Sequence, residues 1–295
     1  MYDIKALYEA ESVPHAIRLL KEHPKAQIIA GGSDVLIQIR EGKRAGVELV
    51  SIYNLDELRG VVQAEDGTIK IGSLTSFTKL TGDPIIQQYL PVLGEAADMV
   101  GGPQIRNIGT IGGNTCNGVT SADSASTLFA YDALIELKGE KGTRIIPIQD
   151  FYIKAGKVDL RETEIQISIQ IPEKAYKGYY GNYIKYAMRN AMDIATLGCS
   201  VNVKLSDDKS TIEDVRIAYG VAGPVPIRAV HAEKTGKGRK VCEEAFDTIA
   251  AAVLKDITPR DSWRASRAFR EHISQVLCKR ALKESIRRAG GVAYE

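Results

Sequence analysis

Two stretches of this chain are rich in glycine and almost uncharged, and each follows apolar residues. The first reads Gln27-Ile28-Ile29-Ala30-Gly31-Gly32-Ser33-Asp34-Val35. The second, residues 100–123, reads V-G-G-P-Q-I-R-N-I-G-T-I-G-G-N-T-C-N-G-V-T-S-A-D, with six glycines in 24 positions. Glycine loses the most backbone entropy on ordering, so this density is tolerated where backbone turns sharply or lies against a ligand. A strand breaking into Gly-Gly-Ser presents bare amide N–H groups and a hydroxyl, the donors a phosphate takes. The same residues also suit an ordinary strand-to-helix turn, with Ser33 or Asp34 as N-cap. The second stretch, apolar at Ile105, Ile108 and Ile111, reads as a buried ligand-wrapping loop that ends near Thr110-Ile111-Gly112-Gly113-Asn114.

Groups for acid–base or nucleophilic catalysis are scarce. No G-x-G-x-x-G follows a strand, and neither a G-x-x-x-x-G-K-S/T loop nor a G-x-S-x-G elbow occurs. Asp207-Asp208 and Glu243-Glu244 lie in polar surroundings, a surface pattern. The four cysteines (116, 199, 242 and 278) and four histidines (15, 23, 231 and 272) are dispersed, without the close spacing of zinc or iron–sulfur ligands. No metal of its own is expected in this chain. Two glycine loops roughly 80 residues apart would suit a pyrophosphate-containing cofactor held by backbone amides from both. Such a cofactor brings its own reactive atoms, which accounts for the thin supply of catalytic side chains.

The elements that position these loops can be read from pattern. Residues 12–22 form a helix capped by Ser12, with Val13, Ala16, Ile17 and Leu20 on one face. Strands at 27–30 and 48–52 complete a small β-α-β beginning. Residues 69–71 open a second region, followed by a helix from Ser73 to Leu80 and a strong helix start at Asp83-Pro84. Pro91 gives either two successive helices or one kinked helix. A helix from Ser124 to Tyr131 packs behind the second loop, and strands at 134–137 and 144–148 flank a Gly-Glu-Lys-Gly turn. Ile165, Ile167, Ile169 and Ile171 alternate with polar residues as in a half-buried strand ended by Pro172. Lys174 to Tyr180 reads as a linker, with strands at 183–188, 199–205 and 215–219 and helices at 241–255 and 262–289 beyond it. The domains are therefore 1–176, with subdomains of about 1–55 and 56–176, and 177–295.

A chain of 295 residues can bury a large core, and 44% hydrophobic with 26% charged residues is a globular composition. The net charge of +2 gives no reason to expect nucleic acid, and no apolar run approaches the ~20 residues of a membrane span. Met1-Tyr2-Asp3-Ile4-Lys5 lacks the order of a signal peptide, so a cytoplasmic protein is expected. Residues 255–290 carry ten Lys or Arg against four Asp or Glu, either a solvated basic face or a docking surface for a partner subunit.

Ala30-Gly31-Gly32-Ser33-Asp34, taken with Gln104-Ile105-Arg106-Asn107-Ile108-Gly109-Thr110-Ile111-Gly112-Gly113-Asn114, resembles the FAD-binding medium subunits of molybdenum hydroxylases. The resemblance extends over essentially the whole chain, including Ser262-Trp263-Arg264-Ala265-Ser266, and within the family it runs nearest to bacterial xanthine dehydrogenase. It implies an α+β fold: an FAD-binding domain of the p-cresol methylhydroxylase (vanillyl-alcohol oxidase) type with two α+β subdomains, then a C-terminal α+β domain with a three-stranded antiparallel sheet and helices. It also implies that Ile28, Ile29, Ala30, Gly31, Gly32, Ser33, Asp34 and Val35 wrap the pyrophosphate, and that Thr110, Ile111, Gly112, Gly113 and Asn114 lie along the cofactor. Val100 and Gln166 match neighbours of the flavin ring, while Asp123 and Lys185 match cofactor-contacting residues. From the residues alone, Asp123 also suits an N-cap and Lys185 a polar position on an alternating strand. Arg189 to Ile194 would approach the flavin and gate nicotinamide access.

The implied activity is electron transfer from 2Fe-2S clusters on a partner chain, through FAD, to NAD. The organic substrate would be oxidised at a molybdenum cofactor on a further partner, in a dimer of heterotrimers. Xanthine dehydrogenase is the leading assignment. The alternatives are a carbon monoxide, nicotinate or aldehyde dehydrogenase, some using quinone, and a cofactor-free scaffold protein. Gly112→Val and Gly32→Val are expected to strip FAD while leaving the fold largely intact.

Overall fold

The structure, a computed structural model, describes residues 2–292. The chain opens β1 (Ile4–Glu9), α1 (Val13–Glu22), β2 (Gln27–Ile29), α2 (Val35–Arg40), β3 (Val47–Ser51). The three strands form a parallel sheet in the order β1-β3-β2. Ser12 caps α1 by accepting from the His15 amide at 3.2 Å, and Val13, Ala16, Leu19 and Leu20 bury its apolar face. β1 adds a strand to the expected β-α-β beginning. It is an edge strand with Leu7 exposed, so burial leaves no strong alternation in its sequence.

Next come β4 (Val61–Gln63), β5 (Ile69–Gly72), α3 (Phe77–Gly82), α4 (Pro84–Tyr89), α5 (Pro91–Asp98), α6 (Pro103–Ile108), α7 (Ile111–Cys116) and α8 (Asp123–Ala130). They are followed by β6 (Leu134–Gly139), β7 (Gly142–Pro147), α9 (Ile148–Phe151), β8 (Tyr152–Lys154), β9 (Lys157–Val158) and β10 (Ile165–Ile171). An antiparallel sheet runs β4-β5-β10-β6-β7. Pro91 separates two helices. The helix expected from Ser73 begins only at Phe77, where Ser76 accepts from the Lys79 amide at 3.3 Å. Ser73 to Thr75 instead form a turn whose carbonyls meet the second glycine stretch, which is itself folded into α6 and α7 rather than a loop.

β10 departs from the half-buried pattern, because both of its faces are covered. A register shift against β6 between Gln166 and Ser168 swaps the two faces. Ile165 and Ile167 pack with α1 and β3, whereas Ile169 and Ile171 join the core beneath α3, α5 and α8. Two of the polar residues left inside are satisfied locally: Gln170 Nε2 donates to Glu136 Oε2 at 2.9 Å, and Ser168 Oγ donates to the same oxygen.

The remaining chain is α10 (Glu173–Tyr176), β11 (Tyr180–Tyr186), β12 (Leu197–Leu205), β13 (Ile212–Gly220), β14 (Ile227–Arg228), α11 (Val230–Gly236), α12 (Glu243–Ala252) and α13 (Arg267–Arg288). Its sheet has the three expected long strands plus β14, a two-residue strand too short to show a pattern. Residues 174–180 are no loose linker: Tyr176 is buried and its hydroxyl donates to the Gly67 carbonyl at 2.6 Å. Residues 262–265 form a turn, with the Ser262 amide donating to the Ala265 carbonyl, so the last helix starts at Arg267 under a Ser266 cap. Much of its basic charge is spent inside the chain. Lys279 and Lys283 pair with Glu243, Arg288 with Glu95, and Arg270 is buried among carbonyl oxygens. No helix among the described residues is long and apolar enough to cross a membrane.

Candidate cofactor-binding cleft

The two glycine stretches meet. A Cβ added at Gly31 would lie 1.9 Å from the Ile108 carbonyl oxygen, so only glycine lets the first turn rest on the end of α6. Gly32 has φ +73°, a left-handed conformation that side chains disfavour. A Cβ at Gly112 would lie 2.5 Å from Ser73 Cβ, which explains the glycine by packing within the chain. Here the expectation that Gly112→Val spares the fold is corrected: the added side chain would strike the Ser73 backbone and side chain before it met any ligand.

Between these segments lies a cleft of ≈ 520 Å³, a volume within the range of small-molecule sites. Ile28, Ala30, Gly31, Gly32, Ser33, Asp34 and Val35 line it from one side, Thr110, Gly112, Gly113 and Asn114 from the other, and Val100 and Gln166 also reach it. Four expected residues do not line it. Ile29 belongs to β2, Ile111 is fully buried in the core, and Asp123 and Lys185 meet each other instead.

Hydrogen-bond accounting separates the two loops. Among the described residues, the amides of Gly31, Gly32, Ser33 and Asp34 donate to no protein acceptor. Asp34 occupies the N-cap position of α2 without a capping bond, so these residues are not an ordinary capped turn. In the second loop the Ile111 amide donates to the Thr75 carbonyl at 3.0 Å, Gly112 to Ser73 at 2.9 Å and Asn114 to Thr110 at 3.0 Å. Thr110 Oγ1 accepts from Gly113 at 3.1 Å. Amides from both loops were expected to hold the cofactor. Those of residues 111–114 are already used to cap α7 and join it to residues 73–75, whereas four consecutive amides of the first loop stay free.

Two further polar atoms in the lining are buried without a partner among the described residues, Ser73 Oγ and Gln166 Nε2. Gln166 Oε1 accepts from Thr115 Oγ1 at 2.8 Å and from Cys116 Sγ at 3.1 Å. Burial pushes the Cys116 thiol up to about 12, which keeps it protonated.

Sequence reasoning missed Ser73, Phe77, Lys25, Arg44, Leu160, Arg161 and Glu162 of the lining. They lie outside the two glycine-rich stretches. The 159–164 wall is fixed by Arg144, which donates to Asp159 Oδ2 at 2.6 Å and to Glu164 Oε1 and Oε2 at 2.8 and 2.7 Å.

Asp123 and Lys185 form a buried pair behind the cleft. Lys185 Nζ donates to Asp123 Oδ2 at 2.8 Å and to the Met99 carbonyl at 2.9 Å, while Tyr183 donates to Asp123 Oδ1 at 2.9 Å. Burial raises the Asp123 carboxyl above its usual range against the opposing pull of Lys185 and Tyr183. Asp123 is thus neither an N-cap nor a lining residue, and Lys185 ties β11 to the backbone that carries Val100. The Arg189–Ile194 segment closes on itself, with Asp193 accepting from the Arg189 and Ile194 amides. Met192 has φ +53° and lies over Gly102, next to Val100 and Gly101.

Comparison with known proteins agrees with this geometry. Residues 2–174 match the family model described as the FAD binding domain in molybdopterin dehydrogenase, and residues 182–285 match the CO dehydrogenase flavoprotein C-terminal domain. The chain is 43% identical over 291 residues to the xanthine dehydrogenase FAD-binding subunit of Escherichia coli O157:H7, covering 99% of both. It is 30% identical to the carbon monoxide dehydrogenase medium chain of Hydrogenophaga pseudoflava, covering 92% of this chain and 93% of that one. The solved structure of carbon monoxide dehydrogenase from H. pseudoflava superposes with a TM-score of 0.92, covering 98% of this chain and 99% of that chain. Fold, loops and similarity together place the chain in the family of FAD-binding flavoprotein subunits of molybdenum hydroxylases.

Proposed function

We propose that the cleft binds FAD and that the chain is the NAD-reducing subunit of a cytoplasmic xanthine dehydrogenase. Its partners are an iron–sulfur subunit and a molybdenum-cofactor subunit, in a dimer of heterotrimers. Residues 1–176 form the FAD-binding part and 177–295 the second. One observation carries the FAD assignment: four unclaimed amides at Gly31 to Asp34 share a cleft with two buried, unpartnered polar atoms, Ser73 Oγ and Gln166 Nε2. That donor set fits a ligand with a charged diphosphate at one place and neutral acceptors at another. The xanthine assignment is supported by the E. coli relative, itself a xanthine dehydrogenase subunit.

Bound FAD supplies the exchange between one-electron carriers, the 2Fe-2S clusters of the partner, and the two-electron acceptor NAD. The chain's own residues bind and orient. The first loop takes the diphosphate on its amides. Gly113 and Asn114 give the cofactor a rigid wall, because their amides are bonded to Thr110 within the chain. Asp123 and Lys185 act at one remove, by fixing the Met99 carbonyl and with it the position of Val100. The Arg189–Ile194 segment borders the same edge and controls approach of the nicotinamide.

Acid release and quantification of flavin from the purified chain tests the first part. One FAD per chain is expected, and a colourless folded protein that refuses added FAD overturns it. In the assembled complex, xanthine should bleach the flavin band and NAD should restore it. Restoration by quinone but not NAD overturns the acceptor, and bleaching by another substrate but not xanthine reassigns the complex.

A further inference from the structure

Gln166 is only 3% exposed and stands at the register shift in β10. Alternation along the strand turns its side chain away from Ile165 and Ile167 and toward α7, where Thr115 and Cys116 converge on Oε1. The protonated Cys116 thiol brings a hydrogen and is a weak acceptor, and the Thr115 hydroxyl can donate too, so the atom they approach is placed as the carboxamide oxygen. Thr115 Oγ1 also lies 3.0 Å from the Gly112 carbonyl, which competes for its single proton; the Cys116 contact is the less shared of the two. With the oxygen held there, Nε2 is left on the side of the cleft, buried and without an acceptor. An unpaired buried donor is destabilising, a penalty that a bound acceptor removes. The lining includes the apolar Val100, Ile165 and Cys116, and the first loop already offers its amides to a charged group. The acceptor suited to Gln166 is therefore an uncharged ring oxygen or nitrogen.

Resting on the FAD reading above, we infer that Gln166 Nε2 donates a hydrogen bond to the redox-active ring of the cofactor, with Thr115 and Cys116 as positioning residues that fix the amide's orientation. Reduction makes the ring's acceptor atoms more electron-rich, so a donor there favours the reduced form and raises the midpoint potential. Gln166 would in this way set how readily the subunit accepts electrons.

The test is potentiometric titration of the FAD-loaded full-length chain, together with FAD affinity. Gln166→Leu should lower the midpoint potential and weaken FAD binding roughly three- to tenfold, the worth of one neutral hydrogen bond. Gln166→Glu, which replaces the donor with a charge, should lower the potential further. Thr115→Val, which frees the amide, should move it less and in the same direction, and serves if Gln166→Leu does not fold. An unchanged potential and affinity in the folded Gln166 variants overturns the inference. So does a raised potential, which would mean that the amide presents its oxygen. A wild-type chain that takes up no FAD overturns the underlying reading instead, so the two failures are distinct.

Discussion

The two glycine loops share a composition and differ in what their glycines are for. Residues 31–34 keep their amides open, and Gly32 accepts a left-handed backbone to aim them. Residues 110–114 close every amide from Ile111 to Asn114 onto the chain itself, and Gly112 is glycine because Ser73 leaves no room for a Cβ. One loop is a set of donors and the other is a wall. Glycine density thus marks close backbone approach, and only the hydrogen-bond count tells whether a ligand or another segment is approaching.

The largest effects should come from side chains placed where backbone touches backbone. Gly31→Ala drives a Cβ toward the Ile108 carbonyl, and Gly112→Val drives a larger group into Ser73. Each should cost roughly 3 kcal/mol or more, at or beyond the upper end of overpacking, because backbone cannot step aside as a side chain can. Chemical denaturation should show both losing stability along with flavin. A Gly112→Val chain of normal stability that lacks FAD would restore the ligand explanation for that residue. Gly32→Ala should cost less, about 1–2 kcal/mol for a left-handed alanine, while reducing FAD content more than Gly112→Val does at equal folded fraction.

How much could be read beforehand follows the same division between local and distant causes. Caps and breakers act within a few residues, so Ser12, Asp83-Pro84 and Pro91 announced their helices. Both loops were visible as glycine runs for the same reason. The register shift in β10 was not, since it depends on pairing with β6, and so the alternating isoleucines suggested one buried face where there are two. Asp123 and Lys185 were singled out only through family resemblance, and their pairing with each other needed β11 to fold against α8. Arg44, Arg161 and Ser73 reach the cleft from segments whose local sequence carries no sign of it.

A pair of small substitutions sharpens the contrast between donor and wall. Thr110→Ala removes the bond that caps α7 and should cost about 1 kcal/mol of stability. Ser33 has no hydrogen-bond partner among the described residues, so Ser33→Ala should change stability by less than about 0.5 kcal/mol while weakening FAD binding. Thermal melts with and without FAD separate the two: Thr110→Ala should lower both melting temperatures, and Ser33→Ala mainly the increment that FAD adds. Equal behaviour of the two variants would erase the distinction between the loops.

The smallest effect concerns the wall at residues 159–164 and has a defined sign in pH. Burial opposes the charge on Glu164, but the Arg144 guanidinium overcomes it and holds the carboxyl below its ordinary value of 4.5. The same guanidinium lowers Asp159. A group with a lowered folded value adds stability above its unfolded value and loses it as pH falls through the folded one. Asp123 runs the other way. Burial raises it, so its contribution is favourable below its ordinary 3.8 and is lost as pH rises through the folded value. Acid should therefore loosen the Arg144-held wall while leaving the Asp123 side tight. The melting temperature should fall between about pH 6 and about pH 3, with a shallower slope in Glu164→Gln, which cannot titrate there. An unchanged slope in that variant would move the acid sensitivity to other carboxylates. A slope made shallower in Asp123→Asn would reverse the sign assigned to the buried pair, because removing a group that favours the acid side should make the slope steeper.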